Sequence, residues 1–348
     1  MIDAIYCELE EISAHRIGSK ADDEDFKPSS DTLDTSDEVL RELLIKYFLK
    51  PFTGEEFYNF TFSNEEFELN PLFNYSNSIF QDAIPFHENS IKIAQYLFDV
   101  SIHPNIKSGD LFVVRFSNLK LKNEAFEAIG IFKSENKHPF LTVNDETDDL
   151  VLEHTSGINI DKLDKGCLIF NQGKKEGYKV TIIDKSNKST EAQYWKDNFL
   201  NLKPCNDEFH NTKAFLNIAK SYVTEQMDED FDIEKTDKID ILNRSVEYFK
   251  SHESFNKEEF EENVFQSEEV INSFRSYDDT YREENEIQIK DEFDISDQAV
   301  KKQSRFFKSI LKLDKNFHVY IHGDKNLIEK GVESDGRKFY KFYYEKED

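Results

Sequence analysis

The side chains of this sequence best suited to do chemistry are lysines and arginines in predicted turns, and that chemistry is the capture of anionic phosphates. Lys162–Lys203 holds nine lysines and five acids, and Val300–Asp348 holds twelve Lys plus Arg and eight acids, a local excess of +4 in each. Lys174, Lys175, Lys185 and Lys188 in the first stretch, with Arg305, Lys308, Arg337 and Lys338 in the second, are the candidate phosphate contacts if both stretches line one groove. Lys174-Lys175 in a predicted hairpin turn and Arg337-Lys338 after Asp335-Gly336 are placed best, because turn tips reach into a groove. About six to ten such contacts make binding steeply salt-dependent, since each displaces condensed counterions. The plainer reading is that these cations solvate a sheet and its turns, as charge runs usually do.

Reaction chemistry finds less support. Asp164, Glu176 and Lys179 are loosely like a metal-dependent nuclease pattern. That pattern wants acid and lysine one residue apart on a strand, whereas Glu176 and Lys179 are three apart and start at a turn. His318 and His322 have a helical metal-ligand spacing, but FHVYIHG favours extended chain, which separates them by about 13 Å, and no carboxylate or cysteine completes a set. Cys167 lies in an apolar run and is expected to pack rather than to attack. Trp195 shares an apolar stripe with Ala192, Phe199 and Leu202, which points to the core rather than to base stacking. Neither a Gly-x-Ser-x-Gly elbow nor a phosphate-binding Gly-Lys-Ser/Thr loop occurs. The expectation is a protein without enzymatic activity, cofactor or metal.

The totals set the limits. The 348 residues suffice for one large domain or two ordinary ones. Phe (32) and Tyr (15) are too abundant for a disordered chain. Asp and Glu number 71 against 44 Lys and Arg, for a net charge of −27, so the chain as a whole repels DNA and any contact must be local. No apolar run approaches the roughly 18 residues of a membrane span. The start, MIDAIYCELEEISAHR, carries acids where a secretory signal would be basic. Cys7, Cys167 and Cys205 are far apart, which suggests neither a disulfide framework nor a zinc site. A cytoplasmic location follows as the expectation.

The elements that must position the lysines are mostly strands. Ile2–Ile17 alternates loosely as a first strand, and the polar residues 18–36 read as a loop. Thr35 and Glu38 have capping-box spacing ahead of a helix carrying Val39, Leu40, Leu43, Leu44 and Tyr47, which Pro51 stops. Glu55–Phe62 favours a strand and Ser90–Asp99 a helix. Leu111–Phe116, Ala125–Lys133, Phe140–Val143, Leu150–Glu153, Cys167–Asn171 and Tyr178–Asp184 then read as an antiparallel series with turns at 107–110 and 172–175. Thr190 and Gln193 cap a helix running to Pro204. From about Asp207 to Asp297 the pattern is helical and acidic. Between Glu225 and Asp297, 25 acids face 8 Lys plus Arg, yet Ile239, Leu242, Val246 and Phe249 keep helical spacing, so this is a folded acidic surface. A helix at Ser296–Leu311, a strand at Phe317–Gly323 and a hairpin about Ser334-Asp-Gly-Arg337 complete the chain. The fold class predicted is α+β: a largely antiparallel sheet with flanking helices over 1–203, then an acidic helical region with C-terminal strands and a β-hairpin over 204–348.

Lys50-Pro-Phe-Thr-Gly-Glu-Glu-Phe57, Ile106-Lys-Ser-Gly-Asp-Leu-Phe112, Lys165-Gly-Cys-Leu-Ile-Phe170, Ile183-Asp-Lys185 with Ala192-Gln-Tyr-Trp195, and His322-Gly-Asp324, in that order and spacing, resemble the NdpA-like family of bacterial nucleoid-associated proteins. The resemblance implies a DNA-associated protein of the bacterial cytoplasm that co-localises with the nucleoid, and brings no catalytic motif. Two functions are therefore expected. One is a homodimer that binds double-stranded DNA through a local basic groove. The other is an interaction module whose acidic face, Glu225 to Asp297, binds a basic DNA-processing protein. No membrane partner is expected.

Overall fold

A computed structural model describes residues 2–104, 106–144, 150–185, 194–307, 310–321 and 327–346. The protein is α+β with mostly antiparallel sheets. It divides into two compact units, Met1–Cys205 and Asn206–Asp348.

The first unit is an eight-stranded antiparallel sheet clothed on both faces, with a separate two-stranded ribbon, β6–β7. Its elements are β1 (Ile2–Asp3), β2 (Glu8–Ile17), α1 (Glu38–Leu49), β3 (Tyr58–Phe60), α2 (Pro71–Phe80), α3 (Phe86–Val100), β4 (Gly109–Leu121), β5 (Glu124–Ser134), β6 (His138–Asn144), β7 (Val151–Gly157), β8 (Lys165–Phe170), β9 (Lys179–Asp184) and β10 (Leu202–Pro204). β1 and β2 share one edge of β4, and the order continues β5, β8, β9, β3, β10. Because side chains alternate along a strand, Leu111 and Val113 join Ile129, Ile131, Cys167 and Ile169 under α2, α3 and a π-helical turn at Tyr194–Leu200. Val114 and Phe116 join Ala128, Leu168 and Phe170 beneath the end of α1. Burial on both faces explains why β4 reads as a nearly continuous apolar run. At the centre, Phe48 of α1 stacks on Phe132 with ring centroids 4.3 Å apart. A Cβ on Gly130 would stand 2.3 Å from the Phe132 ring, so only glycine leaves room for it.

Several expectations change in detail. The cap of α1 is Asp37, which accepts from the Leu40 N–H at 3.1 Å, not Thr35. Val39, Leu40 and Leu43 on that helix remain exposed, and burial begins only at Tyr47. The first strand is broken by a turn at residues 4–7, and the Glu55–Phe62 strand shrinks to β3. The predicted helix at 90–99 begins four residues earlier at Phe86, and α2 ahead of it was missed. Its sequence PLFNYSNSIF is poor in strong helix formers, but Asn70 caps it by accepting from the N–H groups of Leu72 and Phe73. The capping pair Thr190 and Gln193 lies outside the described residues, whereas Trp195, as expected, is fully buried.

The second unit is helical around an aromatic core. It comprises α4 (Glu208–Ser221), α5 (Met227–Asp230), α6 (Lys235–Ser251), β11 (Ser254–Asn256), α7 (Lys257–Val264), α8 (Glu268–Glu284), β12 (Glu292–Asp294), α9 (Asp297–Ser304), β13 (Ile310–Leu313), β14 (Phe317–Tyr320), β15 (Ile328–Val332) and β16 (Lys338–Phe342). Phe215, Tyr222, Phe249, Phe255, Phe260 and Phe274 fill its interior. The predicted helix to Leu311 stops at Ser304, because Ile310 and Leu311 pair with Tyr320 and Val319 instead. Among the described residues the C-terminal strands form two separate hairpins, β13–β14 and β15–β16, rather than joining the large sheet.

Candidate nucleic-acid interface

The β8–β9 connection is built to project its lysines. Gly173 (φ 68°) and Gly177 (φ 96°) take left-handed backbone on either side of a single turn, Lys174–Glu176. A Cβ on Gly177 would lie 2.6 Å from the Phe60 carbonyl oxygen, and the Phe60 N–H donates to the Gly177 carbonyl at 2.8 Å. That close approach leaves Lys174 and Lys175 exposed at the tip. Lys122, exposed in the β4–β5 turn, was not singled out from the sequence. Because β5 and β8 are antiparallel neighbours, both turns stand at one end of the sheet, about two strand spacings or ~10 Å apart across it. None of these three lysines makes a salt bridge among the described residues.

Lys185 is exposed at the opposite end of β9, about 20 Å away at the usual rise of a strand. Cations near that end are largely matched: Arg16 pairs with Asp110 at 3.1 Å, Lys137 also with Asp110, and Lys50 with Asp161 at 3.2 Å. Lys188 lies outside the described residues. Asp164 precedes β8 while Glu176 sits in the turn after it, so the loose nuclease pattern is pulled to opposite ends of a strand.

The remaining candidates belong to the second unit. Arg305 is exposed immediately after α9, and Lys308 lies outside the described residues. Arg337 and Lys338 follow the β15–β16 turn, where Gly336 (φ 87°) takes the left-handed conformation that Asp-Gly predicts. Arg337 is 80 % exposed and donates through Nε to Asp335 Oδ2 at 2.7 Å, so part of its charge is matched within the turn. Lys338 has no salt bridge among the described residues.

A second cluster of charge is buried, and the sequence did not disclose it. Lys133, Lys165 and Asp184 stand directly opposite one another on β5, β8 and β9. Lys133 Nζ donates to the Lys107 carbonyl (2.7 Å), Glu135 Oε1 (2.9 Å) and Tyr194 Oη (3.4 Å). Lys165 Nζ donates to Asp184 Oδ1 at 3.1 Å and lies 3.6 Å from Glu135 Oε2. Burial holds the Lys133 ammonium below the usual lysine range against the pull of Glu135, and burial then Glu135 and Asp184 push the Tyr194 hydroxyl up. Trp195 Nε1 donates to the Gly166 carbonyl at 3.4 Å beside it. Four of the segments that carry the family resemblance, at 106–112, 165–170, 183–185 and 194–195, therefore converge on one internal network. The 50–57 segment packs Phe52 and Phe57 into the core, and His322–Asp324 lies outside the described residues. Cys167 is fully buried, as expected, and burial raises its thiol well above the ordinary range.

The geometry defines a two-unit α+β protein with a helix-clothed antiparallel sheet and unmatched lysines at the turns of one sheet end. The family model for nucleoid-associated protein YejK matches residues 13–337, nearly the whole chain, and the chain belongs to that family. No curated protein matches it. Among the described residues no helix is long and apolar enough to cross a membrane.

Proposed function

We propose that the protein works at the bacterial nucleoid, in the cytoplasm, as a non-enzymatic protein that contacts the backbone of double-stranded DNA. The observation that carries this reading is the pair Lys174-Lys175, exposed at a turn tip with no salt bridge among the described residues, in a family of nucleoid-associated proteins. Lys122 extends the patch along the sheet end. Lys185, about 20 Å away, corresponds to roughly six base-pair steps of B-DNA at 3.4 Å each. Arg305, Arg337 and Lys338 on the second unit, with Lys188 and Lys308, which lie outside the described residues, are taken as further phosphate contacts. The contacts read charge and not base edges, so binding discriminates little between sequences.

The test is titration of a fluorescent duplex with the whole protein across salt, beside a Lys174→Glu/Lys175→Glu variant and an Arg337→Glu/Lys338→Glu variant. Micromolar affinity that falls steeply with salt and is lost in the variants supports the reading. Absence of binding at low salt rejects it.

A second reading is favoured by the acidic helices. Glu258, Glu259 and Glu262 on α7 and Glu268, Glu269 and Asp279 on α8 are all exposed on a folded scaffold. Such a surface suits a basic DNA-processing protein, and it would be the route to the nucleoid if direct DNA contact fails the titration.

A further inference from the structure

The second unit carries an open cavity of about 680 Å³ between the start of α4 and the β11–β12 ribbon. Asp207 and Glu208 line it from the helix, Glu292 and Asp294 from β12, and Lys290 stands against these four acids. Glu208 and Asp294 make no salt bridge among the described residues. The start of a helix ordinarily favours an anion. Here Asp207 caps it by accepting the His210 N–H at 3.0 Å, and Glu208 adds charge in the first turn, so the cavity stays negative. Asn211 lines the same cavity; it is 4 % exposed, and its Oδ1 has no hydrogen-bond partner among the described residues. A buried acceptor without a donor is costly and uncommon in a folded protein. A second cavity, of about 350 Å³, adjoins the first across the hydrogen bond from Asn256 Nδ2 to Glu292 Oε1 (3.0 Å). On its wall Glu261, 1 % exposed, holds Arg275 through Oε2 at 2.6 Å but leaves Oε1 without a donor.

We propose that the two cavities bind a linear aliphatic polyamine, one ammonium donating to Asn211 Oδ1 and another to Glu261 Oε1. Both orphaned atoms are acceptors among acids, so the occupant must bring N–H donors and positive charge. Phe255 and Phe293 also line the larger cavity and give the methylene chain an apolar wall. The spread of the acids selects a chain over a compact ion. Among the described residues no three His, Cys, Asp or Glu side chains stand close enough to hold a metal. Charges spaced along a chain meet such dispersed carboxylates, whereas a single divalent ion does not. The larger cavity also has the size of a small-ligand site. A lysine of another protein offers the same ammonium, but the enclosure of Asn211 favours a free amine over one carried on a bulky backbone. The inference is independent of both readings above, since it uses neither the lysine turns nor a macromolecular partner.

Equilibrium dialysis of the full chain against radiolabelled spermidine tests it, at about 0.15 M salt so that loose attraction to the acidic surface is screened. One saturable site in the micromolar range is expected. Asn211→Leu leaves the net charge unchanged and removes only the amide. It is expected to weaken binding about tenfold or more while the thermal midpoint holds or rises, because the orphaned acceptor is gone. Asp294→Asn, at an exposed strand position, is expected to weaken binding several-fold. Uptake that does not saturate, or a folded Asn211→Leu that binds as the wild type does, overturns the proposal and leaves adsorption to an acidic surface. Should Asn211→Leu fail to fold, Asp294→Asn decides by the same criterion. A capped trilysine peptide carries the charge of spermidine on a protein backbone. If it binds as tightly or more so, the free amine is overturned in favour of a basic protein segment.

Discussion

His15 and His87 stand with ring centroids 5.8 Å apart and hold the backbone N–H and carbonyl of Ser29 between them. The Ser29 N–H donates to His15 Nδ1 at 3.3 Å, and the Ser29 carbonyl accepts from His87 Nε2 at 3.2 Å. Ser90 Oγ donates to the His87 carbonyl and accepts from His15 Nε2 at 3.0 Å, which makes the neutral Nε2–H tautomer the one that fits. The clasp fastens the polar loop after β2 onto β2 and α3.

Burial, then the neighbouring His87, lowers the pKa of His15 from 6.5 to about 4. The folded state therefore binds this proton less readily than the unfolded chain. His15 costs nothing above pH 6.5, and stability is lost as pH falls from there towards 4, where the difference saturates. Over pH 7 to 5 the loss is about 2 kcal/mol. Urea unfolding at several pH values, wild type beside His15→Gln, isolates it: the variant should lose about that much less across the window. Parallel curves would show that His15 does not titrate as described.

The Lys133 network makes a different demand. Lys133→Ala removes a fully buried ammonium, leaves a cavity, takes the donor from the Lys107 carbonyl and leaves Glu135 with Lys165 as its remaining cation, for an expected loss of about 3–5 kcal/mol. Lys133→Met loses the same charge but keeps the volume, so it should cost less. Denaturant midpoints at constant m-value give the order. Equal costs for the two would mean that the lost charge, not the lost volume, matters at this position.

Asp278 has the same logic within the second unit. Its side chain is fully buried and accepts from Lys257 Nζ at 2.6 Å and Arg282 Nε at 2.7 Å. Asp278→Ala leaves two cations facing each other with no anion between, and should cost about 3 kcal/mol. Thermal unfolding of the whole protein checks this, with the loss expected in the transition that melts the helices.

The two lysines of the β8–β9 turn predict a salt slope. If both contact phosphate, Lys174→Ala/Lys175→Ala should reduce the slope of log K against log salt by about 2 while affecting all duplex sequences alike. A slope unchanged within error would remove this turn from the interface.

Gly177→Ala probes the platform beneath them. With φ at 96° and the Phe60 carbonyl 2.6 Å from the added carbon, the substitution should cost more than about 1 kcal/mol and loosen the turn. Gly336→Ala meets no atom within 4 Å and carries only the backbone strain of its positive φ, so it is the matched control.

Much of the sheet is legible along the chain. LFVVRF, AFEAIGIFK and KGCLIF are β-branched and aromatic runs between turn residues, and each becomes a strand paired with its neighbour in sequence or nearly so. The Asp-Gly hairpin is equally local, since the turn's own backbone geometry selects Gly336. α2 was hidden because its stability comes from the Asn70 cap and from burial of Leu72, Phe73 and Ile79, not from propensity. Lys133 escaped notice because FKSEN reads as a strand running into polar solvent; three strands and Tyr194 must assemble before that lysine is enclosed.

By itself the sequence determined the class of the fold, most strands, the acidic helical half, the lysines at turn tips and the burial of Trp195 and Cys167. These rest on periodicity, turn chemistry and hydrophobicity, which act over a few residues. Only the tertiary structure decided that the family segments converge on a buried charge network, that Lys174-Lys175 and Lys185 stand at opposite ends of one strand, and that Asn211 and Glu261 line adjoining cavities. Each depends on which distant strand lies alongside, and so on packing energies shared among many residues that no local window contains.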